Sequence, residues 1–144
     1  MLRHLAAAGV IALSLAGCGK IKKTSECNTF IDKVNTSLKE IEKHTSTKAE
    51  NEAQTISGMK RLGELYDQLA KDVGGIEITT PDLKKQVDDY QAMAQKAAST
   101  SREVASAVEA KDGDKIDKAQ KEFDQIVKQE DELVNKINSY CQAP

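Results

Sequence analysis

Residues 81–114 read PDLKKQVDDYQAMAQKAASTSREVASAVEAKDGD, and within them Leu83, Val87, Tyr90, Ala94, Ala97, Ser101, Val104 and Val108 recur at alternating steps of four and three. That spacing keeps one face of an α-helix turned toward a partner along the whole segment. Thr80-Pro81-Asp82 supplies a cap, a proline at the first helical position and an acid in the first turn. Lys111-Asp112-Gly113-Asp114 makes a turn, so the pattern predicts a helix over 81–111 with a thin, alanine-rich, closely packed face.

The same period extends outward on both sides. Toward the C-terminus, Ile116, Ala119, Phe123, Ile126, Glu130, Leu133, Ile137 and Tyr140 predict a helix over 114–140, its stripe widened by Val127, Val134 and Cys141. Toward the N-terminus, Ala49, Ala53, Ile56, Met59, Leu62, Tyr66, Leu69 and Val73 predict a helix over 47–73, stopped by Gly74-Gly75. Thr47-Lys48-Ala49-Glu50 has the spacing of a capping box for its start. Gly58 and Gly63 inside it each cost roughly 1 kcal/mol relative to alanine, which close approach of a neighbouring helix explains. Before it, Cys27, Phe30, Ile31, Val34, Leu38 and Ile41 predict a helix over 25–44, with Lys43 and His44 suited to its C-terminal dipole. The prolines are Pro81 and Pro144, and no alternating run exceeds Ile76-Glu77-Ile78, so nothing reads as a sheet. The expected fold is all-α: an antiparallel up-down four-helix bundle with coiled-coil-like seams, one domain over 25–141. The short turns argue against a long oligomeric coiled coil.

Composition narrows the function. The 144 residues are 39% apolar and 31% charged, with three Tyr, two Phe and no Trp, which disfavours a large aromatic-lined catalytic cavity. Net charge is −2, and no basic face of the kind a nucleic-acid binder needs is evident, so nucleic acid is not an expected partner.

The N-terminus carries an address. Arg3 precedes the apolar run LAAAGVIALSL over 5–15, too short to span a bilayer as a stable helix. A basic start, a short apolar core and small residues before a cut make a secretory signal peptide. The small residues run into a cysteine, Leu15-Ala16-Gly17-Cys18, and this closely resembles the lipobox of bacterial lipoprotein precursors. The resemblance implies cleavage between Gly17 and Cys18, removal of residues 1–17, a diacylglyceryl group on the Cys18 thiol and acylation of the new amino group, with palmitate-like chains. Each buried methylene contributes about 0.8 kcal/mol, so two or three chains hold a protein firmly to membrane lipid. Gly19 rather than Asp follows Cys18, which in the enterobacterial sorting pattern favours the periplasmic face of the outer membrane. Without the leader the chain falls to a net charge of −3 and to about 35% apolar residues.

After Cys18, residues 19–24 form a short basic tether, GKIKKT, reaching about 20 Å when extended. Lys20, Lys22 and Lys23 can each add about 1 kcal/mol against anionic headgroups. The two remaining cysteines test the helix count. With four up-and-down helices, the start of the first and the end of the fourth share one end of the bundle, which brings Cys27 and Cys141 together; three helices would separate them. An exported compartment permits this disulfide, and closing so long a loop contributes roughly 4 to 5 kcal/mol in the chain-entropy model.

Catalytic and metal patterns are weak. His44 stands alone at a predicted helix tip, away from Met59 and Met93, which a four-helix haem protein would need near it, and there is no CxxCH. Ile41 occupies the position three before His44, so the Glu-x-x-His pair of di-iron bundles is missing. Glu130 reads as a seam-edge carboxylate reaching solvent, Asp88-Asp89 and Glu130-Asp131-Glu132 as solvated faces, and Asp112-Gly113-Asp114 as a turn without the other ligands of a calcium loop. No cofactor and no enzymatic activity are expected. The expected role is a membrane-anchored envelope module with a protein partner or a structural task. Ligand binding within the bundle is the alternative, and a periplasmic chaperone or stress sensor the third reading.

Overall fold

The computed structural model describes residues 16–143, with side chains from Gly19 onward. The acylation expected on the Cys18 side chain and leader residues 1–15 lie outside what it describes. Among the described residues the chain forms four helices and no strand: α1 (Ala16–Thr45), α2 (Glu52–Gly74), α3 (Pro81–Glu109) and α4 (Gly113–Gln142). They pack as the antiparallel four-helix bundle that the periodicity predicts.

α3 is the central helix. It packs most extensively against α2 and next against α4. Leu83, Val87, Tyr90, Ala94, Ala97, Ser101 and Val104 of its stripe are buried, and so are Met93, Thr100 and Ala107 along one flank of it and Ala98 and Ala105 along the other. Contact on two sides explains the extra positions, because small residues let neighbouring backbones approach from both directions. Val108 is only half-buried, near the helix end. At Gly63 an added Cβ would sit 3.0 Å from the Ala98 carbonyl oxygen and 3.2 Å from Arg102 Cγ, so this glycine does mark a close α2–α3 approach. Gly58 has no such neighbour; its nearest contact would be His44 Nε2 at 3.9 Å.

α1 and α4 touch far less than the other adjacent pairs. A covalent bond joins them instead: Cys27 and Cys141 form a disulfide with their Cα atoms 5.8 Å apart, across 114 residues of sequence. The bond therefore staples the least packed seam, at the end where four-helix parity places both cysteines.

Four helix boundaries differ from expectation by two residues or more. α1 starts at Ala16 rather than 25, so residues 19–24 are not an extended linker but further turns of helix. As helix they rise about 1.5 Å per residue, half the reach of an extended tether. α2 starts at Glu52 rather than 47. The Thr45 and Ser46 hydroxyls donate back to the Ile41 and Lys43 carbonyls and close off α1. Asn51, a stronger cap than threonine, accepts from the Gln54 amide at 2.9 Å, while the Gln54 side chain accepts from the Glu50 amide at 2.7 Å. Thr47-Lys48-Ala49-Glu50 is thus loop, and Ala49 and Ala53 are exposed rather than part of the stripe.

α3 ends at Glu109 rather than 111. Asp112 N–H donates to the Ala107 carbonyl and Lys111 N–H to the Val108 carbonyl, both at 3.0 Å, a Schellman closure with Lys111 at φ 55°. The left-handed residue of this turn is Lys111, not Gly113. Asp112 then caps α4 by accepting from the Lys115 amide, and α4 runs to Gln142 rather than 140.

Candidate functional site

The up-down topology gives the bundle two dissimilar ends. One end gathers the start of α1, the α2–α3 loop and the end of α4. Glu26, buried on α1, accepts the Thr79 amide (2.9 Å), the Thr79 hydroxyl (2.7 Å) and the Thr80 amide (3.1 Å), tying α1 to the loop that begins α3. Burial pushes its carboxyl upward, but the hydrogen bonds from Thr80 and Thr79 outweigh that and hold it down at about 2. Thr80 occupies the cap position of α3 without a side-chain cap bond of its own, its amide being taken by Glu26.

Lys23 Nζ donates to the Ala143 carbonyl at 2.7 Å and lies 4.6 Å from the centroid of the Tyr140 ring. Of the three expected tether lysines, Lys23 is therefore engaged with the end of α4. Lys20 and Lys22 are exposed, as is Ile21 between them, at 72% of its surface. The Tyr140 hydroxyl is pushed up by burial and then by the Asp82 and Glu26 carboxylates.

The middle of the bundle holds four of the five aromatics. Phe30 meets Tyr90 edge to face at 5.5 Å, and Tyr66 meets Phe123 at 6.3 Å. Tyr90 is fully buried, and its hydroxyl donates to Glu130 Oε1 at 2.9 Å. The reading of Glu130 as a carboxylate reaching solvent is thus corrected: it is half-buried and linked to α3. Burial raises its proton affinity, the Tyr90 hydrogen bond opposes, and Asp131 adds to the rise. Burial and the Glu130 charge push the Tyr66 hydroxyl up to about 12, and Tyr90 moves in the same direction. The stripe of α4 contained the signal, since a carboxylate on an apolar face needs a hydrogen-bond donor such as a tyrosine hydroxyl.

At the far end α1, the loop after it and α2 line an open cleft of about 900 Å3. Its walls include Lys43, His44, Lys48, Met59, Arg61 and Leu65. His44 Nε2–H donates to the Gly58 carbonyl at 2.9 Å across it. Met59 shares this cleft with His44 because α2 starts late, whereas Met93 is 1% exposed in the core. Leu62 is buried at the floor, but Ile56 and Met59 are only half-buried. The failing stripe of Ala49 and Ala53 together with Gly58 marked this weak packing in the sequence. Among the described residues no group of three or more His, Cys, Asp or Glu could hold a metal, and no helix is long and apolar enough to cross a membrane.

No known protein family, curated protein or solved structure matches the chain.

Proposed function

We propose that this chain is a bacterial lipoprotein of the cell envelope, anchored through acylated Cys18, which presents its helical surface as a non-catalytic interaction or structural module. The observation that carries the reading is the sequence Leu15-Ala16-Gly17-Cys18 after a short apolar leader. The position of that cysteine supports it: only eight residues separate Cys18 from the disulfide-bonded Cys27, so the lipid would attach at the reinforced end of the bundle. An exported protein also meets the oxidising conditions in which such a disulfide persists. In a diderm cell the periplasmic face of the outer membrane is the favoured site, since Gly19 is not an acid. A protein partner in the envelope completes this reading.

Fractionation of the producing cells tests it. The parent protein should partition into the membrane and the detergent phase, and Cys18→Ser should remain unprocessed or leave the detergent phase. A parent recovered in the aqueous phase would refute the anchor.

A second reading, a small ligand held by the protein, rests on the far cleft of about 900 Å3 rather than on the bundle interior, where Ala94, Ala97 and Ala98 are fully buried. Thermal shifts with envelope lipids, haem or metals would support it, and their absence would remove it.

A further inference from the structure

We infer that residues 19–24 are a rigid helical riser that docks on an anionic bilayer surface and holds the bundle upright, with the α1–α2 cleft facing away from the membrane. The inference rests on the lipoprotein reading, and it replaces a flexible tether with a fixed orientation.

Helix continuity and the contacts of Lys23, Glu26 and Cys27 remove the freedom a linker would have. α1 runs without interruption from Ala16 to Thr45, so the segment beside the anchor and the bundle share one axis. Lys23, within that segment, is fixed to α4 through the Ala143 carbonyl and the Tyr140 ring. One turn further on, Glu26 and Cys27 fasten α1 to the α2–α3 loop and to α4.

The side chains that these contacts leave out are the ones a bilayer takes. On a helix of 3.6 residues per turn, Lys23, Cys27, Phe30 and Val34 define the bundle-facing side. Ile21 projects nearly opposite and is 72% exposed. An isoleucine so exposed, next to an acylated residue, suits the boundary between headgroups and acyl chains. Lys20 and Lys22 flank it, are exposed, and make no ion pair among the described residues. Their charge selects anionic phosphates.

The riser also resolves a conflict of charge. Glu77 and Asp82 are exposed near the α2–α3 loop, where an anionic surface would repel them. From Lys20 to Glu26, six helical residues rise about 9 Å, close to the Debye length at physiological ionic strength. The riser therefore brings the lysines to the surface and keeps the acids about one screening length away. In the other direction the rise from Ile21 to His44 is about 35 Å, which sets the height of the cleft.

Energy transfer tests the orientation. Full-length acylated protein is reconstituted in phosphatidylcholine vesicles with or without phosphatidylglycerol, with a donor dye on Glu77→Cys or Ser46→Cys and an acceptor on the lipid headgroups. Transfer should be several-fold stronger from position 77 than from position 46 in the anionic vesicles. That ratio should fall toward one after insertion of four glycines following Thr24, and after combined Lys20→Ala, Ile21→Ser and Lys22→Ala. Equal transfer from both positions in the parent, or an unchanged ratio in either variant, would overturn the riser; the same ratio without phosphatidylglycerol would overturn the anionic preference. The mass of the N-terminal peptide separates the two claims: an unacylated Cys18 removes the lipoprotein reading, whereas acylated protein with equal transfer removes only the upright one.

Discussion

The two ends of the bundle are built on opposite principles. At the end where the chain enters and leaves, a disulfide, a buried carboxylate with three donors and a lysine on a carbonyl hold three segments together. At the other end, α1 and α2 line an open cleft crossed by the His44–Gly58 hydrogen bond, where Ala49 is exposed and Gly58 and Met59 are only half-buried. The difference shows that restraint in this molecule is concentrated where an anchor would pull. The far end keeps the looser packing that binding surfaces draw on.

The largest effect should come from removing the staple. Cys27→Ser with Cys141→Ser should cost roughly 3 to 5 kcal/mol in urea or thermal unfolding, because the α1–α4 seam has little packing to replace it. A loss below about 1 kcal/mol would mean that the reinforced end is held by something else.

Next is Glu26→Gln, which should cost about 1 to 3 kcal/mol at neutral pH through weaker bonds to Thr79 and Thr80. The sign with pH follows from the carboxyl, held at about 2 in the folded protein against 4.5 for an ordinary glutamate. Its stabilisation is fully present above about pH 4.5 and is lost as pH falls through 2. Parent and variant should therefore converge in acid; a gap that persists at pH 2 would locate the effect elsewhere.

The two helix glycines should respond in opposite directions. Gly63→Ala should destabilise by about 1 kcal/mol, since the Ala98 carbonyl 3.0 Å away is backbone and cannot yield easily. Gly58→Ala, beside the cleft, should stabilise by about 0.5 to 1 kcal/mol through helix propensity alone. Equal responses would erase the contrast in packing along α2. The smallest change is Lys111→Gly, which relieves a left-handed backbone at φ 55° and should raise stability by about 0.5 kcal/mol or slightly more.

These particular residues also show where the sequence was legible. The stripe of α3, the helix count and the pairing of Cys27 with Cys141 follow from period and parity, which depend on many residues at once. The start of α2 was not legible, because Thr47-Lys48-Ala49-Glu50 and Asn51-Glu52-Ala53-Gln54 both carry capping signals and only the closure of α1 decides between them. Val127 sits one column off the stripe and remains 44% exposed, since α4 packs chiefly on α3 and leaves that column uncovered. The partners of Glu130 and Lys23, the Tyr90 hydroxyl and the Ala143 carbonyl, lie 40 and 120 residues away. Local pattern does not encode contacts of that kind.

The most direct measurement of the account is the mass of the N-terminal peptide released from protein extracted from native membranes. The peptide should begin at Cys18 and carry a diacylglyceryl group, with or without a further acyl chain on its amine. A peptide that begins elsewhere, or an unmodified Cys18, would contradict it.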